Sequence, residues 1–435
     1  MKISFKLLFG MTIFLSIIDY YIAGIPLKVY YFPPLLLILF VVLRGHAFHF
    51  SANKLVIVLL AIYLAIIINS YVESELNGLY GIKSPLIFFI GIVTNIAFFL
   101  IFYTLFDIRY YPFMIRILVV SIILNASCAF MMGIIGNIFH IRLGNMFSVV
   151  NSSYLRPAGF YAEPDIFGFY VSSIALLIFP LLVTKNKFAK TQWMTICFFA
   201  YTALNVLSIT RTTILSQIIC TLYFLIVKRK WKKIFIVLSL IMIVFLLISM
   251  IAQNNVLLGR FSKKFDTADS GAFNSRMYNF YMTIDYIKGN LLFGSGPGYL
   301  DDISREEENM HKYASGGVIN NNRNGSFFVL GELFNTGIIG TCIMIILIIL
   351  TWRTLSRKVY NSYYQNILFG IQMLFLNAII VSMSNTVIKM PFVWIFAAIG
   401  CKIVKQVTYT NSAKESMAGL LPLELSNKAM IANRL

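Results

Sequence analysis

Apolar residues run through this chain in stretches of about twenty, the length a helix needs to cross a bilayer's hydrocarbon at ~1.5 Å per residue, and short polar breaks separate them. None of the stretches alternates with the period of two expected of a membrane β-barrel strand. Backbone in hydrocarbon has no water to bond, so each stretch must satisfy its own N–H and C=O groups, as a helix does. The pattern predicts about twelve spans, near 5–22, 27–43, 55–71, 85–106, 113–135, 165–183, 192–209, 212–228, 233–252, 326–350, 366–383 and 391–404. Pro26, Pro85, Pro112, Pro164 and Pro391 stand at or near span starts, where a missing N–H costs least, and Pro180 reads as the end of the sixth span.

One polar interruption is long. Residues 253–325 divide the chain into nine spans within 1–252, with a smaller outer loop near 136–164, and three spans within 326–404, followed by a tail at 405–435. Inside the long loop Met277, Phe280, Tyr281, Ile284 and Ile287 recur at nearly helical spacing, which predicts a short amphipathic helix lying on the membrane face. The fold class expected is an all-α polytopic membrane protein.

Composition sharpens this picture. Charged residues make up 12% and hydrophobic ones 59%, with a mean hydropathy of +0.80, far from the ~25% charge of a soluble domain. A net charge of +19 would suggest nucleic acid in a soluble chain. Here Lys and Arg gather in alternate breaks, at Lys185, Lys187 and Lys190, at Lys228 to Lys233, at Arg353 to Lys358 and in the tail, as they do in cytoplasmic loops. Both termini are therefore expected in the cytoplasm and 253–325 outside, with no nucleic-acid partner. Lys2 and Lys6 precede the first apolar run, which lacks a small-residue cleavage signal and reads as a retained helix.

Six cations oppose the bias in short outer breaks, Lys28, Lys83, Arg142, Arg156, Arg211 and Lys389, and charge placed against the rule points to function. The five cysteines all lie in or at the ends of apolar runs, with no Cys-x-x-Cys. The four histidines show no ligand spacing, so neither a metal nor a cofactor is expected.

Four stretches carry candidate chemistry. Arg156-Pro-Ala-Gly159-Phe-Tyr-Ala-Glu163-Pro164-Asp165 sets an anion-binding arginine beside carboxylates at the mouth of a span; an interfacial salt bridge that orients the helix start accounts for it as well. Ser208-Ile-Thr-Arg211-Thr-Thr213 is a turn too short to be a free loop, so its arginine sits at the interface and either meets an anion or snorkels to headgroups. Arg276 opens the amphipathic segment with Tyr278, and Gly294-Ser-Gly296-Pro-Gly298 follows it, a turn where backbone can approach a ligand closely or simply reverse. Asn320 to Ser326, with Arg323 and Asn324, leads into a span containing Glu332, Gly337 and Gly340; such an entry can bind sugar hydroxyls or cap the helix. Outward arginines short of acidic partners suit a pyrophosphate.

These elements resemble the O-antigen polymerase and O-antigen ligase superfamily. The resemblance rests on Arg156-x-x-Gly159-x-x-x-Glu163-Pro164, Thr210-Arg211, Ser275-Arg276-x-Tyr278, Leu292-x-Gly294-x-Gly296-x-Gly298-Tyr299 and Gly337-Ile338-Ile339-Gly340. It implies a metal-independent bacterial glycosyltransferase of the inner membrane. That enzyme would move a growing glycan from undecaprenyl pyrophosphate to a lipid-linked repeat unit at the periplasmic face. By matched position Arg156, Arg211 and Arg276 would bind the donor pyrophosphate; the resemblance assigns no general base, for which Glu163 is the candidate. Gly159, Tyr278, Gly294, Gly296, Gly298, Arg323 and Asn324 would line the substrates, and a chain-length regulator would be a protein partner. Ligases of this kind carry a histidine where the long loop re-enters the membrane; this chain reads Asn322-Arg-Asn-Gly-Ser326 there, which favours a polymerase. A ligase or related glycan transferase, and a flippase for lipid-linked oligosaccharides, stay as alternatives. A flippase would be expected to line an inner cavity with its arginines and to lack the long loop.

Overall fold

The computed structural model of the chain describes residues 5–15, 54–76, 83–130, 147–150, 154–157, 164–184, 191–208, 210–232, 280–281, 283–285, 287–296, 328–359, 361–384 and 387–407. Its helices are α1 (Phe5–Leu15), α2 (Lys54–Leu76), α3 (Lys83–Leu105), α4 (Tyr111–Phe130), α5 (Pro164–Val183), α6 (Thr191–Leu207), α7 (Arg211–Val227), α8 (Phe328–Leu355), α9 (Ser362–Ser382) and α10 (391–407). The expected spans at 27–43 and 233–252 lie outside the described residues. Among the described residues, one short antiparallel strand pair, β1 (Phe147–Val150) with β2 (Tyr154–Pro157), accompanies the helices. Four helices among the described residues are long and apolar enough to span a membrane, within 108–125, 165–183, 328–355 and 362–382; four shorter apolar helices accompany them. The protein is an all-α, multi-pass membrane protein.

Helices α5 and α9 form the middle of the bundle, and α5 packs against α6, α7 and α9. Both are buried along most of their length, as expected of helices enclosed by other helices on all sides. Small residues let them approach: a Cβ added at Gly370 of α9 would stand 2.8 Å from the Leu177 carbonyl of α5. The contact also carries directional bonds, since Asn377 of α9 donates to Ser172 at 3.0 Å and to Ser173 at 2.9 Å. In a bilayer, close approach and such bonds hold helices together, because lipid tails are as apolar as leucine. Pro180 lies inside α5, which continues to Val183, so the proline does not end this helix as its sequence position suggested.

Helix α8 packs on the far side of α9, with α2 against it. A 3-10 turn, Ile108–Tyr110, leads into α4 and is capped by Asp107, which also takes a bidentate contact from Arg109. That guanidinium holds the Asp107 carboxyl below its ordinary range.

Candidate functional site

Two constellations bring the sequence motifs together. The first is the junction of the α5 and α7 starts. Helix α7 begins at Arg211, with Thr210 as its extended N-cap. The Thr210 hydroxyl points across to α5 and donates to Asp165 Oδ1 at 3.3 Å. Gly168, one turn further along α5, makes the approach possible: a Cβ there would lie 2.7 Å from Ser208 Oγ and 2.9 Å from Thr213 Oγ1. Ser208 donates to the Asn205 carbonyl at 2.7 Å, which tightens the turn between α6 and α7. Thr213 donates to Asn205 Oδ1, Asn205 donates to Gln217 and Gln217 to Thr202, at 2.7, 2.7 and 2.9 Å.

The Asn205 and Gln217 amides thus meet hydrogen-bonding partners within the bundle, which is what makes their burial tolerable. The result is a rigid frame that places Arg211, half-buried, where two helix N-termini converge. The partial positive charge of those termini and the guanidinium favour negative charge at this point, part of which the Asp165 carboxylate supplies. Strand β2, which carries Arg156 opposite Ser148, packs against α5, so two of the three expected pyrophosphate arginines belong to elements that meet at α5.

The tightness of this frame is testable. Gly168→Ala gains ~1 kcal/mol of helix propensity but forces a methyl into contacts of under 3 Å with Ser208 and Thr213, where overpacking costs ~1–3 kcal/mol. We expect a lower thermal midpoint for the detergent-solubilised variant. A raised midpoint would show that the turn can yield.

The second constellation joins the glycine turn of the long loop to helix α8. At Gly337 the helix breaks, with φ 64° and ψ −169°. Ile338 N–H, which in a continuous helix would bond the Phe334 carbonyl, instead donates to the Leu291 carbonyl at 2.9 Å. Ile339 N–H donates to the Leu292 carbonyl at 3.4 Å, and Phe334 O accepts from Ser295 N–H at 2.6 Å. The segment Leu291 to Gly296 therefore replaces one turn's worth of helical bonding. Gly294 and Gly296 both adopt positive φ, at 79° and 100°, a region glycine enters without strain. They serve here as a backbone seat.

Just above this break, the carboxylate of Glu332 is wholly buried and pairs with Lys389 Nζ at 2.8 Å. Tyr63 of α2 donates to the same carboxylate. An apolar cleft between α2, α3, α8 and α10 runs beside the pair, with Tyr63, Asn95, Lys389 and Trp394 among its lining.

Glu163, Gly159, Arg276, Tyr278, Gly298, Arg323 and Asn324 lie outside the described residues. For Arg156 the structure gives the backbone position alone. Sequence reasoning left the pairing of Glu332 with Lys389 and the Asn205–Gln217 frame unassigned; the available signal was polar residues within apolar runs, which in a membrane usually have a partner and a purpose. No group of residues with metal-ligand character occurs among the described residues.

A family model described as O-antigen ligase matches residues 194–345. The match takes in α6, α7, the long loop and most of α8, and with them Arg211, Arg276 and both halves of the glycine seat; Arg156 and Glu163 precede it. No curated protein matches the chain.

Proposed function

We propose that this chain, which belongs to the O-antigen polymerase and ligase superfamily, is the polymerase. It would transfer a growing glycan from undecaprenyl pyrophosphate to a lipid-linked repeat unit at the periplasmic face of the inner membrane. The observation that carries the reading is Arg211 at the joined starts of α5 and α7, a fixed cationic point in the part of the chain the family match covers. The sequence Asn322-Arg-Asn-Gly-Ser326 supplies no histidine at the loop's return to the membrane, which favours polymerisation over ligation.

In this reaction a hydroxyl oxygen of the acceptor sugar attacks the anomeric carbon of the donor. The bond from that carbon to the pyrophosphate oxygen breaks, its electron pair leaves with the pyrophosphate, and the hydroxyl proton passes to a carboxylate, for which Glu163 is the candidate. Charge grows on the leaving pyrophosphate, and Arg156, Arg211 and Arg276 are the groups proposed to stabilise it. Pre-positioned guanidinium groups serve this purpose well because their planar forks match phosphate oxygens.

The test is a strain deleted for this protein. Complementation with the wild-type chain is expected to restore a ladder of surface glycan on a gel, where the empty strain shows the single-unit band alone. If the empty strain also lacks that single-unit band, the protein acts at ligation or export and the polymerase reading fails.

A further inference from the structure

Lys389 stands in a short break between apolar runs, and its sequence position suggested an outer loop. The structure packs that break against neighbouring helices. Its carbonyl accepts from Asn95, a residue near the middle of α3, and its ammonium meets Glu332, whose carboxylate also takes the hydroxyl of Tyr63 from the middle of α2. Lys389 closes a second 3-10 turn, Val387–Lys389, which Trp394 Nε1 and Ser382 Oγ fix through Ile388, at 2.8 Å each. The ammonium also lies 5.9 Å from the centre of the Phe328 ring.

An ion pair whose carboxylate is wholly buried and whose lysine is 18% exposed contributes little stability over two apolar side chains of similar size, because desolvation offsets the Coulombic gain. What it supplies is direction. Greasy contacts tolerate sliding, whereas a carboxylate bonded to Tyr63, Lys389 and, more loosely, Thr336 at 3.4 Å holds one position.

The part held in this way is the outer piece of α8, from Phe328 to Thr336. Thr336 bonds the Glu332 carbonyl at 2.9 Å and is the last residue before the break at Gly337. The turn Leu291 to Gly296 is seated on that break. We propose that Glu332 and Lys389, with Tyr63, are positioning residues for the transfer reaction: they fix the broken end of α8, and the broken end fixes the glycine turn from Leu291 to Gly296. None of the three touches substrate in this scheme. The inference rests on the polymerase reading for its kinetic consequence but not for its structural one.

The experiment therefore has two arms. In a full-length chain freed of its five cysteines, Leu292→Cys with Ile339→Cys reports the seat by disulfide cross-linking in membranes. The cross-link is expected to form efficiently and to fall about fivefold in Glu332→Gln and in Lys389→Met, with recovery in the reversed pair Glu332→Lys with Lys389→Glu. In the kinetic arm, with the natural cysteines present, kcat is expected to fall about tenfold while KM for the lipid-linked unit stays within about twofold, the mark of misplacement rather than lost binding.

Should Glu332→Gln not accumulate, Tyr63→Phe takes its place, with a smaller loss in the same direction. An unchanged cross-link and unchanged kcat in these variants overturns the proposal, and so does a rise in KM at constant kcat, which would put the pair in contact with substrate. A seat that loosens in these variants while the wild-type chain itself restores no ladder would retain the positioning role and sink the polymerase reading alone.

Discussion

Arg211→Ala is expected to reduce glycan polymer by about a hundredfold, with the protein still present in the membrane at the wild-type level. The α7 helix does not depend on this side chain for its start: Thr210 supplies the N-cap position, and Asn205, Thr213 and Gln217 tie the turn together. What the substitution removes is a guanidinium at the point where two helix starts converge. Arg211→Lys separates charge from shape. A lysine keeps one positive charge but replaces a planar fork with a point donor, so partial activity, about tenfold below wild type, is expected if the arginine grips a pyrophosphate in bidentate fashion. The measurement is ladder intensity in the complemented deletion strain, normalised to membrane-inserted protein. A full ladder from Arg211→Ala would eliminate the arginine from the chemistry and return it to lipid headgroups.

The architecture was legible because length alone decides it in a membrane. Described helices begin and end within a few residues of many expected spans, as at Pro164–Val183 and Ser362–Ser382, since a run of apolar residues has few other ways to satisfy its backbone. The Ser208 to Thr213 turn was legible for the same reason, being too short to leave the interface. Helical packing was not legible. The partners of Glu332 lie on other elements, Tyr63 some 269 positions away in the sequence, and no local pattern encodes such a pairing. Lys389 shows the limit of charge counting: a cation between two spans counts as exposed until its carboxylate is found, and here the carboxylate is wholly buried. The run from Gly294 to Gly298 was readable as a turn, whereas Gly337 read as part of a continuous span and its break was not foreseen; nor was the joint role of the two. That role depends on backbone groups of Leu291, Leu292 and Ser295 meeting those of Phe334, Ile338 and Ile339, and backbone groups leave no residue signature beyond the glycines that make room for them.

That joint role yields the second large effect. In α8 two bonding schemes compete for the same groups. Phe334 O can accept from Ile338 N–H, which continues the helix, or from Ser295 N–H, which docks the turn; the structure shows the second, and Ile338 turns to Leu291. Gly337 decides between them. At φ 64° and ψ −169° it occupies a backbone region closed to most other residues, and a Cβ there would stand 2.2 Å from the Leu292 carbonyl oxygen and 2.5 Å from Phe293 N. Neither contact can relax by rotating a side chain, because both neighbours are backbone. Gly294 faces it with the same constraint, its added Cβ falling 2.5 Å from Gly337 N. Gly337→Ala removes the option of the break and adds ~1 kcal/mol of preference for a continuous helix, so Ile338 N–H returns to Phe334 O and the turn loses its seat. We expect a chain that inserts and folds, because α8 becomes more regular, but whose ladder is lost by about a hundredfold and whose Leu292→Cys with Ile339→Cys cross-link disappears. Gly294→Ala should reproduce both effects from the other side of the contact. An intact cross-link in Gly337→Ala would mean that the turn is held to the membrane by something other than the break, and the link from α8 to the long loop would have to be drawn elsewhere.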